Sequence, residues 1–313
     1  MSLLVRCPAK INTVLQVLGK REDGFHELDT EFVTLALHDR LELDPGEGGF
    51  SLEVTGAPAS EVPVQDNLVL RAAHRLQEAL GSEACPGAAF RLEKRTPAAA
   101  GLGGGSSDAA GALLGLCRLF GLAPPEGLLA EIALELGSDV PYFLVGGRCR
   151  GRGRGERLEE LPDRPDCPVV LLVTHERLST AAVFKTHAEL EEARKRACEN
   201  SEDPALTRRK TSRSLDSVAW WQATEHCLEN DLRDSALKLS PRLAEVETRL
   251  MDLAPPERVG LTGSGPTLFA LLRPGEAGEG IDRMRSRLER DDAELILTRS
   301  LGRRELNETR FAP

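Results

Sequence analysis

The residues whose types and spacing could do chemistry are concentrated in one glycine-rich stretch, AGLGGGSSDAAGALLGL at positions 100–116. The glycines at 103–105 can adopt backbone angles that other residues avoid, and they can bring amide N–H groups close to an anion. The small apolar run that follows predicts a helix, which we expect Ser106 or Ser107 to cap. Because a helix N-terminus carries partial positive charge, a phosphate can bind there without many lysines or arginines.

This stretch differs from the two best-known glycine motifs. The P-loop ends in Gly-Lys-Ser or Gly-Lys-Thr, and the stretch contains no lysine. The dinucleotide fingerprint has an acidic residue about 20 positions further on, where this sequence has Gly121. A flexible linker is disfavoured because a predicted strand enters the stretch and a predicted helix leaves it. A purely structural glycine turn is the alternative that stays open.

Composition and charge limit the classes of partner. The chain has 313 residues, of which 41% are hydrophobic and 29% charged, which is typical of a folded globular protein of two domains. A net charge of −10 argues against nucleic acid or an anionic membrane as a partner. The seven cysteines are dispersed without a Cys-x-x-Cys pair, so we expect reduced thiols in a cytoplasmic protein and neither a disulfide framework nor a zinc site.

The elements that must position the glycine stretch alternate between strands and helices, which predicts an α+β fold. Strand patterns cover 2–18, 30–43, 50–54 and 88–95, and helical patterns cover 68–80, 104–120, 125–136, 241–252 and 276–290. Asp66 or Asn67 is expected to cap the first helix, which Gly81 ends. A change in character near 155–165 predicts an N-terminal domain of 1–158 and a C-terminal domain of 159–313. The polar segment 195–218 is interpreted as a surface excursion.

Four segments together resemble the GHMP family of small-molecule kinases. The segments are 8–30, 97–116, 136–147 and 261–271. No single segment is specific for the family, but the four in this order are. The resemblance implies a two-lobed GHMP kinase fold with the active site in the cleft between the lobes. It also implies an enzyme that uses ATP and Mg²⁺ to phosphorylate an alcohol, with a small molecule as its other partner.

The resemblance assigns two catalytic residues. Asp139, in GSDVP, is expected to accept the proton of the attacking alcohol, at the start of a short helical turn capped by Ser138. Lys10, in PAKIN, is expected to polarise that hydroxyl and to hold Asp139 ionised. Without the resemblance, Lys10 is interpreted as a surface lysine and Asp139 as a helix cap.

Nucleotide binding is also assigned by resemblance. Asn67 and Lys94 are expected to line the adenosine pocket, although a helix cap and an exposed strand lysine explain them equally well. Ser107 is the expected side-chain contact to Mg²⁺. The residues expected around the phosphates are Gly101, Gly103, Gly104, Gly105, Ser106 and Ser107.

The segment GKREDGFHELDT at 19–30 resembles the loop that holds a cytosine ring in those family members whose substrate carries cytidine diphosphate. Phe25 is then expected to stack on the base and His26 to bind its edge, with Phe184 as the second ring. The family usually has tyrosine at position 25, so this chain lacks a phenol hydroxyl there. Asn12 and Thr180 are expected to add polar contacts to the substrate.

Two other interpretations stay open. The chain could be a GHMP kinase for homoserine, mevalonate or a sugar, but those substrates need no aromatic-histidine pair in the 19–30 loop. It could also be a GHMP-fold binding protein without catalysis, which we expect to have lost Lys10 or Asp139. The motif GSG at 263–265 is explained either as a family loop beside the active site or as a plain tight turn.

Overall fold

The computed structural model describes residues 2–56, 64, 66–163, 166–199, 228–273, 279–288 and 293–311. It contains two β-sheets with helices packed against them, which confirms the α+β class. The first sheet contains β1 (Leu3–Lys20), β2 (His26–Pro45), β3 (Gly49–Thr55), β4 (Gly87–Glu93), β5 (Arg148–Gly153), β6 (Arg157–Glu160) and β8 (Glu229–Asn230). The second contains β7 (Pro168–Thr174), β9 (Val259–Leu261), β10 (Thr267–Leu271) and β11 (Ala293–Arg299).

The helices lie between these strands in chain order. Those of the first half are α1 (Leu68–Leu80), α2 (Gly104–Phe120), α3 (Leu128–Leu136) and α4 (Val140–Val145). Those of the second half are α5 (Thr180–Glu199), α6 (Arg233–Leu239), α7 (Pro241–Met251), α8 (Glu279–Leu288) and α9 (Arg303–Thr309). Within the described ranges, no helix is both long and apolar enough to cross a bilayer.

The antiparallel pair of β1 and β2 is the centre of the first sheet. Every residue from Cys7 to Leu15 is buried, so this part of β1 is covered on both faces. The pairing register shifts between Pro8 and Lys10 and again between Asn12 and Val14. Because such bulges change the direction in which side chains point, β1 is locally irregular on both sides of Lys10 and Asn12.

Three hydrophobic clusters fill the space around the sheets. One lies between the first sheet and helices α1–α4, and another lies within the C-terminal half. The third joins Ile11 and Leu35 of the first sheet to Leu171 and Phe269 of the second. The two sheets therefore share a core through β1 and β2.

The chain crosses between the two lobes after the predicted boundary. Strand β6 spans the 158/159 division and pairs with β5 in the first sheet. Near the C-terminus, α9 returns to the first lobe, where a Cβ on Gly146 would overlap the Leu306 side chain. The amide of Arg6 also donates to the carbonyl oxygen of Arg310 at 2.8 Å. The division into 1–158 and 159–313 stays a prediction.

Several local predictions can be compared with the structure. Asn67 caps α1 and Gly81 ends it, as expected, whereas Asp66 does not cap it. Helix α3 begins at Leu128 and not near 125, because Gly127 precedes it in the left-handed conformation at φ +85°. Helix α5 includes 195–199 of the predicted polar excursion, and 200–218 lie outside the described residues. Cys7, Cys85, Cys117 and Cys149 are free thiols.

Helix α2 packs so closely on β1 that one of its glycines should not tolerate a side chain. A Cβ on Gly111 would overlap Cys7 Sγ, whereas a Cβ on Gly105 would meet only Leu68, at 3.7 Å. We expect Gly111→Ala to lower the free energy of unfolding by about 1–3 kcal/mol through overpacking. Gly105→Ala is the control and should not lower it. Urea unfolding measures both, and equal stability of the two variants would contradict this packing.

Candidate active site

The ammonium group of Lys10 lies where the four sequence motifs meet. The residue is only 3% exposed, and its Nζ donates to Asn12 Oδ1 at 2.7 Å. The same Nζ is 3.5 Å from Asp139 Oδ2. Its stem is close to the glycine loop, since a Cβ on Gly103 would be 3.2 Å from Lys10 Cγ. The structure thus brings together the two residues that the sequence assigned to catalysis.

Asp139 is the N-cap residue of α4, and its side chain makes no capping hydrogen bond. The predicted cap, Ser138, is therefore wrong, because Asp139 itself occupies that position. The Asp139 side chain is 34% exposed, in contrast to the buried Lys10. The Asp139 carboxylate therefore lies at a helix N-terminus and beside the Lys10 cation. The pair therefore combines a partly exposed Asp139 carboxylate with the buried ammonium group of Lys10.

The glycine loop begins α2 without a side-chain cap. Gly101 and Gly103 have φ of +74° and +72°, and Gly103 is the N-cap residue. Ser106 and Ser107 lie inside the first turn, so the prediction that one of them caps the helix is wrong. The amide of Ser107 donates to the Gly103 carbonyl oxygen at 2.9 Å. The amides before Ser107 have no acceptor within the helix, which leaves them suited to an anion.

The turn at 262–265 encloses Lys10 from the second lobe. Thr262 Oγ1 lies 3.3 Å from the Gly101 carbonyl oxygen, and the Gly263 amide donates to Asn12 Oδ1 at 3.1 Å. Asn230 Nδ2 donates to the carbonyl oxygens of Leu261 at 2.7 Å and Gly263 at 2.9 Å. This supports the interpretation of the motif as a loop beside the site and not only a turn.

Sequence reasoning missed two of these residues. Thr262 lies in the segment 261–271, but the resemblance assigns no role to its hydroxyl. Asn230 lies in a weakly patterned part of the chain and carries no local signal. Only its position, in a two-residue strand paired with β1, explains its role.

Lys94 lies in a buried cluster of charges next to the glycine loop. Its Nζ donates to Asp39 Oδ2 at 2.5 Å and to Asp108 Oδ2 at 2.7 Å. Asp39 Oδ1 also accepts the amides of Arg95 at 2.6 Å and Thr96 at 2.7 Å. A Cβ on Gly104 would be 3.2 Å from Lys94 Nζ, so the ammonium group lies directly against the start of α2. The alternative of an exposed strand lysine is wrong.

The protonation of this cluster follows from its burial. Burial raises the pKa of Asp108 to about 8, against the opposing effect of Lys94, and the nearby Asp39 carboxylate raises it further. Burial lowers the pKa of Lys94, but the Asp108 and Asp39 carboxylates outweigh this effect and hold it above its ordinary value. The two acidic side chains therefore hold the buried Lys94 ammonium group in its charged form.

Asn67 has a structural role in α1. Its Oδ1 accepts the amide of Val69 at 2.9 Å, and the residue is only 6% exposed. The predicted contact of Asn67 with adenosine stays a prediction, as does that of Lys94.

The residues expected around a base form two adjacent aromatic contacts. The rings of His26 and Phe184 are stacked, with centroids 4.5 Å apart and an interplanar angle of 21°. Phe25 is 48% exposed, and the guanidinium of Arg154 lies 4.4 Å from its ring centroid. Thr180 forms a 2.9 Å hydrogen bond with Ser264, so α5 is joined to the 262–265 turn. Phe25, His26 and Phe184 thus lie in one region.

The His26 ring is suited to recognise a neutral hydrogen-bonding partner. Burial lowers its pKa, and the positive charges of His187 and Lys20 lower it further. At neutral pH the imidazole is uncharged, with one nitrogen that donates and one that accepts.

Comparison with known proteins gives the relatives of this chain. A family model for the GHMP kinases N terminal domain matches residues 67–147. A protein of Pelotomaculum thermopropionicum called 4-diphosphocytidyl-2-C-methyl-D-erythritol kinase is 40% identical over 299 residues, covering 95% of this chain and 97% of the relative. One of the same name from Paramagnetospirillum magneticum is also 40% identical, over 271 residues, covering 86% and 89%.

Solved structures agree with these relatives. A crystal structure of 4-(cytidine 5′-diphospho)-2C-methyl-D-erythritol kinase has a TM-score of 0.69 and 34% identity, covering 96% of this chain and all of that one. Homoserine kinase from Cytophaga hutchinsonii has a TM-score of 0.65 at 18% identity, covering 96% and 95%. The second similarity shows the fold alone.

The buried cluster predicts a strong dependence of stability on Lys94. Lys94→Met would leave the Asp39 carboxylate without its cation, and removing one partner of a buried pair costs about 3–5 kcal/mol. Lys185→Met, at an exposed position of α5, is the control and should change stability little. Guanidinium unfolding of both variants measures the difference. A Lys94→Met protein as stable as the control would show that the cluster is not a stabilising feature.

Proposed function

The chain belongs to the 4-diphosphocytidyl-2-C-methyl-D-erythritol kinase family of GHMP kinases, and from this premise we propose that it phosphorylates the 2-hydroxyl of 4-(cytidine 5′-diphospho)-2-C-methyl-D-erythritol with ATP. The observation that carries the proposal is the 3.5 Å contact between Lys10 and Asp139 beside the glycine loop. The reaction belongs to the non-mevalonate synthesis of isoprenoid precursors. We propose that it takes place in the cytoplasm and needs neither nucleic acid nor a membrane.

Asp139 and Lys10 share the handling of the alcohol in this proposal. Asp139 orients the hydroxyl and accepts its proton as the bond to phosphorus forms. Lys10 stabilises the developing negative charge on that oxygen, and Asn12 fixes Lys10 through their 2.7 Å hydrogen bond. Since phosphoryl transfer needs positioning more than covalent chemistry, a weak base suffices for Asp139.

The start of α2 is proposed to hold the phosphates of ATP. The amides that follow Gly103 have no intrahelical acceptor, so they are available to bind an anion, and the helix adds partial positive charge. Gly101, Gly105 and Ser106 are proposed to belong to this phosphate-binding loop. Asn67 and Lys94 are proposed to lie towards the adenosine. Lys94 contributes through its contact with Gly104, which supports the first turn.

Mg²⁺ is proposed to accompany ATP, with Ser107 as its protein ligand. The hydroxyl oxygen of Ser107 is buried and has no hydrogen-bond partner among the described residues, and oxygen is the ligand that Mg²⁺ prefers. Among the described residues there is no cluster of three metal-binding side chains. When bound, the ion neutralises charge on the transferred phosphoryl group.

The cytidine end is proposed to bind near Phe25 and Phe184. Their rings supply stacking, while His26 supplies the hydrogen bonds that distinguish cytosine from uracil. For that, a base must enter beside the present His26–Phe184 stack. Thr180 bonds to Ser264 and Asn12 accepts the Gly263 amide, so both border the 262–265 turn, and they are proposed to contact the substrate.

A coupled assay of ADP release tests the proposal. The cytidine substrate should be turned over, and homoserine and mevalonate should not. Turnover of either alternative at a higher kcat/KM would assign the chain to a different GHMP activity. No turnover of all three would favour the binding protein.

Asp139→Asn should abolish most turnover without changing ATP affinity. Loss of one proton-accepting group lowers the rate by about 10²–10⁴-fold, and the carboxamide keeps the size of the side chain. Steady-state kcat and the Kd of ATP are the measurements. Asp252→Asn, at an exposed helix end, is the control. A kcat within a few-fold of the parent would exclude Asp139 from the proposed mechanism.

Base selection should depend on His26 and not on the stacking rings. Phe25→Ala should weaken binding of the cytidine substrate by about 1–3 kcal/mol, the value of one base stack, whereas Phe25→Tyr should change KM only modestly. The uridine analogue should be a far poorer substrate of the parent protein because it leaves buried polar groups unpaired. Equal kcat/KM for the two analogues would contradict the cytosine pocket.

A further inference from the structure

The arginine-rich segment after α4 contains one arginine whose role the proposed function leaves unexplained. Arg154 lies in the turn between β5 and β6, between Gly153 at φ +76° and Gly155 at φ +106°. Both glycines are in backbone conformations that other residues rarely adopt, so they allow a tight reversal here. The turn places the Arg154 guanidinium 4.4 Å from the centroid of the Phe25 ring.

Neighbouring arginines on this hairpin have carboxylate partners. Arg150 pairs with Asp29 at 2.6 Å, and Arg157 pairs with Glu27. Arg152 has Glu159 at 3.9 Å. Among the described residues, the guanidinium of Arg154 forms no such ion pair, and the Phe25 ring is its close contact.

The backbone of Phe25 is held independently of its ring. Asp23 Oδ1 accepts the Phe25 amide at 3.1 Å, and the Asp23 carboxylate also pairs with Arg21 at 3.1 Å. Burial raises the pKa of Asp23, but the hydrogen bonds from Phe25 and Arg21 and the charges of Arg21 and Arg154 together outweigh it and lower the pKa. Asp23 thus fixes the main chain of the loop at Phe25, while the exposed ring has Arg154 against it.

We propose that Arg154 is a positioning residue for the substrate, because its guanidinium covers one face of Phe25 and holds the ring with its other face free to stack on the cytosine. This inference rests on the proposed function. The contact is a cation–π interaction at an exposed site.

The expected effect is confined to the cytidine substrate. Arg154→Met keeps most of the aliphatic stem but removes the charge, and it should raise the KM of the cytidine substrate about two- to fivefold, the range for an exposed cation–π contact. kcat and the KM of ATP should stay unchanged. Arg154→Lys, which keeps a cation, should recover part of the loss. Arg152→Met, two residues away on the same hairpin, is the matched control and should leave all three parameters unchanged.

A double-mutant cycle separates positioning from direct contact. In a Phe25→Ala background, Arg154→Met should have no further effect, because there is no ring left to hold. The same increase in KM in both backgrounds would overturn the proposal and show that Arg154 binds the substrate directly, for example through its diphosphate. No increase in the parent background would overturn it as well.

Calorimetric binding of the cytidine substrate without ATP distinguishes this inference from the proposed function. A parent protein that binds but does not turn the substrate over would overturn the proposed kinase activity. The Kd values of Arg154→Met, Phe25→Ala and the double variant would still test the role of Arg154. A parent that does not bind would overturn both. If Arg154→Met raises the Kd two- to fivefold in the parent protein but not in the Phe25→Ala background, the positioning role is supported.

Discussion

The rest of the site depends on the burial of a single ammonium group, that of Lys10. A charge removed from water is stable only if it is paired and hydrogen-bonded, and the partners of Lys10 come from separate parts of the chain. Asn12 is its neighbour on β1, Asp139 begins α4, and the turn at 262–265 closes over Asn12. The two lobes must therefore come together for Lys10 to be buried, and that closure assembles the site.

The sequence predicted the parts that local patterns determine. The α+β class, the bounds of α1, the end of α2 near Phe120 and the family all followed from periodicity, capping residues and ordered motifs. The predicted Lys10–Asp139 pair lies within 3.5 Å. That pair came from the family resemblance, since a lysine and an aspartate 129 positions apart carry no local signal of contact (139 minus 10).

The rest could not be predicted because it depends on which groups meet in three dimensions. Lys94 follows strand β4, and nothing in the neighbouring sequence indicates that it will be buried against Asp39 and Asp108. The serines after the glycine loop have the composition of caps, but the left-handed Gly103 starts the helix before them. Stacking of His26 on Phe184 joins residues from different lobes, which periodicity does not report.

The return of α9 to the first lobe also affects how the protein is made. Arg303 donates to the carbonyl oxygens of Gly146 at 3.2 Å and Arg148 at 3.0 Å, just after the helix that Asp139 begins. These partners are about 155 residues apart, and every strand of the second sheet is synthesised between them. On the ribosome, where N-terminal units fold first, the first lobe cannot complete its own packing. The contacts of Arg303 just after α4 can thus form only after the second lobe has been translated.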